Sequence, residues 1–287
     1  MIVVTGATGV LGGLIVEALL QQRPASIIGV SVRDPDKAAG IAARGVRVRR
    51  GDFGAPDDLA HAFADATTVL LVSSNARSYR GDPIAQHRAA IDAARAAGVR
   101  RIVYTSQIAA SHTSHFAPAR DHATTEDLLR ASGLKYTALR HGFYASSMVA
   151  MLAPGFERGV LVAPADGVVS FTAHEDLAAA AAAILLDDGC FEGPTPPLTA
   201  DVALDLAGLA AIATAQGRPT TREVVDDDAY RAQLIERGTP PPAADFVLGM
   251  YRASRAGEFA AVDGTLQRLI GRAPIGIGTL LAKQLAR

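Results

Sequence analysis

Along the first half of the chain, short runs of β-branched and other apolar residues alternate with longer segments whose apolar positions recur every three or four residues. That alternation predicts a parallel sheet with helices on both faces, because each crossover between parallel strands needs a helix that covers one face. Ile2 to Thr5 is the first predicted strand, and Leu11, Leu14, Ile15, Ala18 and Leu19 then fall on one face of a helix. Ser26 to Val32 is the second strand. Asp34-Pro35 can open the next helix, Asp by capping free amides and Pro by fitting the first helical position. Val46 and Val48 alternate with Arg47 and Arg49, which suits an edge strand, where charge discourages unwanted pairing. Val69 to Val72 is nearly all apolar and belongs at the sheet centre. A helix from Ile84 to Ala97 stops at Gly98, and Ile102 to Thr105 and Tyr136 to Leu139 supply the fifth and sixth strands. Six such strands fit the doubly wound order 3-2-1-4-5-6, which puts a ligand at the carboxyl ends of the strands near the switch point.

Beyond Tyr144 the alternation breaks. Val168 to Thr172 can add a strand and His174 to Leu186 a helix, while Gly193-Pro194 and Pro196-Pro197 mark a linker-like turn and Pro240-Pro241-Pro242 interrupts two helical segments. The expected organisation is a Rossmann-type α/β domain over residues 1–150, with 168–187 packing on it, and a smaller, mostly helical substrate-side cap over 188–287. With 49% hydrophobic and 20% charged residues, the chain can bury a sizeable core and is not a disordered one. Its 28 Lys+Arg against 29 Asp+Glu leave no electrostatic footprint for nucleic acid or an anionic membrane. A single cysteine, Cys190, excludes an intramolecular disulfide framework and reads as a loop thiol. The Ala-rich run from Leu177 to Leu186 is too short to cross a bilayer. The expectation is a soluble cytoplasmic monomer or homodimer acting on a small molecule.

Candidate chemistry begins at Gly6-Ala7-Thr8-Gly9-Val10-Leu11-Gly12, a G-x-x-G-x-x-G loop between the first strand and the first helix. Glycines there permit a tight turn and a close backbone approach to a pyrophosphate at the amino end of the helix. The second strand ends Val32-Arg33, without the acidic residue at its tip that would accept from the 2′-hydroxyl of NAD. Arg33 can instead pair with a 2′-phosphate, which points to NADPH, with NADH a weaker ligand; Lys37 can add attraction, and Asp34 is better placed as a helix cap. Asp52-Phe53 after the third strand either borders an adenine or forms an ordinary turn. Ser73-Ser74-Asn75 and Thr105-Ser106 end the fourth and fifth strands with small polar groups that can line a ribose and a nicotinamide.

Together these stretches resemble the NmrA-like group of atypical short-chain dehydrogenases/reductases, and within it the NAD(P)H:quinone oxidoreductase type 2 and triphenylmethane dye reductase families. The resemblance is carried by Thr5-Gly-Ala-Thr-Gly9 with Leu11-Gly12, Val32-Arg33-Asp-Pro35, Gly51-Asp52-Phe53, Ala96-Ala-Gly-Val99, Tyr104-Thr-Ser106, Leu139-Arg-His-Gly-Phe-Tyr144 and Leu269-Ile-Gly-Arg272, spread over essentially the whole chain. It implies NADP(H) bound along Gly6, Thr8, Gly9, Val10, Leu11, Arg33, Asp52, Phe53, Ser73 and Ser74. The nicotinamide end would lie near Thr105, Ser106, His141, Gly142 and Tyr144, with His141 and Tyr144 positioning rather than transferring protons. His141 departs from the family pattern, which often has Asn there.

Short-chain dehydrogenases acting on alcohols or ketones use a Tyr with a Lys four residues later. At that spacing this chain has Phe116 and Arg120, and Phe116 cannot transfer a proton. A quinone needs no dedicated acid, because hydride addition gives a delocalised hydroquinone anion that can take its proton from water. The protein then has chiefly to position a flat acceptor against the nicotinamide and exclude water. Phe143, Met148, Phe246, Met250 and Tyr251 offer aromatic and thioether surface for such an acceptor, or are plain core. His112, His115 and His122 gather with Asp121 in a stretch that reads as a loop over the site, with no recognised metal spacing. The leading expectation is an NADPH-dependent quinone reductase. A reductase of a triphenylmethane-type dye or conjugated enone, and a non-catalytic NADP(H)-binding redox sensor, are the alternatives.

Overall fold

In a computed structural model, residues 1–79, 81–187 and 189–285 are described. Residue 188, where the expected cap begins, lies outside them. The chain divides into two compact units, one of Met1–Gln107, Asp121–Arg140 and His174–Pro196, the other of Ile108–Arg120, His141–Ala173 and Pro197–Arg287. This division differs from the expected domain over 1–150 with 168–187 and cap over 188–287: the chain passes between the units several times, a long-range arrangement that local patterning does not encode.

The first unit is the alternating part of the sequence. Its elements run β1 (Ile2–Thr5), α1 (Val10–Leu20), β2 (Ile28–Val32), β3 (Arg47–Arg50), α2 (Pro56–Phe63), β4 (Thr68–Leu71), α3 (Pro83–Ala96), β5 (Arg101–Gln107), α4 (Ala117–Ala131) and β6 (Lys135–His141). The seven-stranded sheet has the order Gly193–Pro194, β6, β5, β4, β1, β2, β3. β1 pairs in parallel with both β2 and β4, in the register Ile2 opposite Ile28 and Thr68. The expected doubly wound order is therefore present. Gly193–Pro194, expected as a turn, adds a two-residue parallel edge to β6. The second strand starts at Ile28 rather than Ser26, because Ala25–Ile27 closes a 3₁₀ turn.

Burial explains the order. β1 and β4 are buried at every residue, whereas β3 is half-buried to exposed. The arginines of β3 serve more than edge protection. Arg47 donates to the carbonyls of Ala64 at 2.8 Å and Ala62 at 3.1 Å, and Arg49 to that of His61 at 2.7 Å. They satisfy carbonyls left open at the carboxyl end of α2, where positive charge also suits the helix dipole. Leu59, Phe63, Val69, Leu71, Ile91, Ile102, Tyr104 and Leu129 belong to one core cluster of this unit. α1 packs on helix His174–Leu186, whose small buried side chains Ala178, Ala180, Ala181 and Ala182 permit close approach.

The second unit contains Phe143–Tyr144 parallel to Val169–Thr172, which pairs antiparallel with Ala203–Leu204, and Thr221–Val225 parallel to Val160–Pro164. Its longer helices are Ala145–Arg158, Leu206–Ala215, Asp227–Glu236 and Pro241–Arg255. The proline triplet does separate two helices: Pro240 caps the second and Pro241 opens it. A core of Phe116, Met148, Phe156, Phe171, Leu209, Tyr251 and Phe259 holds the unit together. No described helix is long and apolar enough to cross a membrane.

Candidate functional site

A cleft of about 340 Å³ opens at the carboxyl ends of β1, β2 and β4 in the first unit. Eight of the expected cofactor residues line it: Gly6, Thr8, Gly9, Arg33, Asp52, Phe53, Ser73 and Ser74. Gly6 has φ 62°, a conformation open to glycine at no steric cost. A side chain on Gly12 would bring its Cβ within 2.3 Å of the Gly6 carbonyl oxygen, so the turn and the helix can approach only as glycines. Gly9 caps α1 with no side-chain hydrogen bond, and no acidic residue stands in the first turn. The positive end of that helix dipole is left uncompensated by side chains, which suits an anion. Val10 is 70% exposed at the helix start, while Leu11 is buried beneath it as core.

Arg33 is exposed and forms no ion pair among the described residues. Its neighbour Asp34 is occupied elsewhere, accepting from the Asp36 amide at 3.2 Å and pairing with Lys37 at 3.6 Å. The acidic residue nearest the tip of β2 is thus a helix cap, and the free charge is the guanidinium. Asp52 makes the turn that its sequence suggests, accepting from Gly54 N–H at 2.9 Å, and still lines the cleft.

Thr105 and Ser106 have partners within the fold. The Thr105 hydroxyl oxygen accepts from the Ser73 amide at 2.8 Å. Ser106 donates to Glu126 at 2.6 Å, and Glu126, 3% exposed, is held by Arg140 at 2.8 Å. Asn75, expected with Ser73 and Ser74, also lines the cleft, whereas sequence reasoning missed Thr5, Ser31, Gly51, Tyr79 and Gln86 in its wall. Gly51 stands in the stretch Gly51-Asp52-Phe53, and the structure gives its reason: a Cβ there would meet the Ser31 hydroxyl at 2.0 Å, so a close strand approach requires glycine.

In the second unit, Phe143, Met148, Met250 and Tyr251 line one apolar slot with Phe171, Phe259 and others. It encloses only about 20 Å³, room for a single water. Phe246 lies outside it, 42% exposed, with its ring 5.1 Å from that of Phe116. His141 is buried, its ring 6.3 Å from the half-buried Tyr144. Burial pushes the Tyr144 phenol up to about 12, so it stays protonated at neutral pH. Gly142 is fixed by packing, since a Cβ would stand 2.3 Å from the Thr172 hydroxyl.

Phe116 is buried against Phe143, Phe246 and Phe259, and Arg120 donates to the Ser114 carbonyl at 2.6 Å. Neither position holds a proton donor of the Tyr-Lys kind. The expected histidine loop divides: His122 is on α4, with Nδ1 2.8 Å from the Tyr104 hydroxyl, and burial lowers its pKa to about 4. Asp121 pairs with Arg77. No three metal-ligating side chains gather among the described residues.

A family profile described as NAD(P)H-binding matches residues 6–188. Quinone oxidoreductase 2 of Escherichia coli is 38% identical over 273 residues, 94% of each chain. Among solved structures, the Escherichia coli NADPH-dependent quinone oxidoreductase QOR2 complexed with NADPH superposes with TM-score 0.91 at 36% identity, covering 100% of both chains. The Citrobacter sp. triphenylmethane reductase complexed with NADP(H) gives TM-score 0.89 at 33% identity, covering 99% of this chain and 100% of the other.

Proposed function

This chain belongs to the NmrA-like family of NAD(P)H-binding proteins, and from that premise we propose that it is an NADPH-dependent reductase of quinones or similar flat conjugated acceptors. The observation that carries the reading is the glycine cradle at an uncapped helix start in the same cleft as the free Arg33. Gly6, Thr8 and Gly9 would hold the pyrophosphate and Arg33 the 2′-phosphate. Asp52 and Phe53 would border the adenine, and Ser73 and Ser74 the ribose. Thr105 acts from behind through Ser73, and Ser106 is fixed by Glu126. Bound there, reduced nicotinamide supplies a hydride.

The residues of the chain then bind, orient and exclude water, because the product anion needs no donor from the protein. We assign acceptor recognition to Phe143, Met148, Met250 and Tyr251, and a positioning role to His141, Gly142 and Tyr144. Tyr144, held protonated by burial, is a poor proton relay at neutral pH. We place the protein in the cytoplasm, where a chain with one cysteine needs no oxidising compartment. The test follows NADPH absorbance with benzoquinone, a triphenylmethane dye, an enone and a simple ketone. Oxidation with the quinone and none with the ketone is expected. Tight NADPH binding with no turnover on any of them would make the protein a sensor instead.

A further inference from the structure

Beyond the end of β4, three successive backbone amides leave the sheet ladder, and each is taken by a side chain from a different element. Val72 N–H donates to the Thr5 hydroxyl at 2.9 Å, Ser73 N–H to that of Thr105 at 2.8 Å, and Ser74 N–H to His87 Nε2 at 2.9 Å. All three acceptors are buried, His87 completely. The segment they hold lines the nucleotide cleft. The first two are hydroxyls at the ends of the flanking strands β1 and β5; the third is an imidazole from α3.

The direction of the third bond fixes the chemistry of the ring. An amide can only donate, so Nε2 must carry a lone pair, and the ring proton must sit on Nδ1. Nδ1 lies 2.8 Å from the Thr125 hydroxyl, which itself donates to the Asp121 carbonyl at 2.8 Å. The Thr125 oxygen is therefore the acceptor of the imidazole proton, and the chain of bonds runs one way from the Ser74 amide to the backbone of α4. Gln86, next to His87 on α3, accepts from the Ser74 hydroxyl, so two successive residues of one helix hold both the amide and the side chain of Ser74. Asp82 fixes the start of that helix, accepting from Ile84 N–H at 2.8 Å and Ala85 N–H at 3.2 Å.

We propose that His87 is a positioning residue of the nucleotide site, its Nδ1-protonated imidazole fixing the Ser73–Asn75 segment in the shape that receives the cofactor. The proposal rests on the NADPH reading of the cleft. Burial favours the uncharged form of the ring, and with the nearby His122 it outweighs the attraction of Asp82, lowering the pKa to about 3; the Tyr104 ring packs edge-on 5.3 Å away. His87 does not touch the reacting atoms. Its effect should appear in cofactor affinity and KM rather than in kcat.

His87→Gln and His87→Asn separate this role from general packing. The Gln amide oxygen reaches the place of Nε2, whereas that of Asn reaches only the place of Nδ1. Calorimetry with NADPH should give His87→Gln an affinity close to wild type and His87→Asn one weaker by about tenfold, the cost of a buried amide without an acceptor. The KM for NADPH should rise in step, with kcat at saturating NADPH unchanged. Equal affinities in the two variants would overturn the proposal. Long-range ¹⁵N correlation spectra of the wild-type imidazoles test it even where His87→Asn fails to fold: a proton on Nδ1 of His87 supports it, and one on Nε2 overturns it. Failure of wild type itself to bind NADPH would instead remove the functional reading on which it rests.

Discussion

The cleft of the first unit and the apolar interior of the second are built by opposite means. In the first, Thr5, Thr105 and His87 spend buried polar atoms on holding one segment still, and about 340 Å³ is left open. In the second, Phe116, Phe143, Phe171 and Phe259 pack on one another at centroid distances of 5.4 to 6.4 Å, and about 20 Å³ is left. Directional bonds allow a fixed shape around a void, because each donor has one best place. Aromatic packing closes voids, since its energy comes from contact. On the proposed function, recognition of the coenzyme would rest on fixed polar groups and close glycine approaches. Recognition of the acceptor, on the same proposal, would rest on shape and apolar surface.

At neutral pH, the greatest loss of stability is expected in the second unit. Phe259→Ala removes a fully buried ring and should cost about 3–5 kcal/mol in chemical denaturation. NADPH affinity measured on the folded variant should stay at the wild-type value; a parallel loss would break the contrast between the units. Next is acid sensitivity in the first unit. His87 and His122 are held below the unfolded value of 6.5, at about 3 and about 4. Between pH 6.5 and 4 the unfolded chain takes up protons that the folded chain refuses. Their contribution is thus complete above pH 6.5 and falls as pH drops, by about 1.4 kcal/mol per pH unit for each histidine. Denaturation at several pH values should show this slope, and His122→Asn, which keeps a partner for Tyr104, should reduce it by about half.

Gly12→Ala should cost about 1–3 kcal/mol through its contact with the Gly6 carbonyl, with NADPH affinity falling alongside. Calorimetry on the folded variant with undiminished affinity would show that the close approach does not shape the cradle. Arg33→Ala should lower the preference for NADPH over NADH by about tenfold or more, read as the ratio of kcat/KM values. The smallest effect belongs to Lys37→Ala. Its ammonium is exposed and already paired with Asp34, so the same ratio should move by less than about twofold.

Much of the first unit was legible in the sequence, because its strands are short apolar runs and its turns carry Gly, Pro and Asp. The strand order, the edge position of Arg47–Arg50 and the glycine cradle all follow from local pattern. What escaped depends on partners distant in the chain. Nothing near Ser73 says that its amide will find Thr105, 32 residues on. Nor does the spacing of His122 say that it leaves a polar loop for the interior beside Tyr104. The composition break predicts a cap over 188–287, whereas the second unit also contains Ile108–Arg120 and His141–Ala173. Of its expected apolar residues, Phe143, Met148, Met250 and Tyr251 converge, whereas Phe246 looks outward, because helical spacing gives a face without saying how wide the buried stripe will be.

On the proposed function, the first unit is a preformed receptor for NADPH. Isothermal titration of the wild-type chain with NADPH and then NADH tests it most directly. Saturable binding at one site per chain is expected, tighter for NADPH, with a difference between the two coenzymes that shrinks in Arg33→Ala. No binding heat with either coenzyme on folded protein, or equal affinity for both, would contradict it.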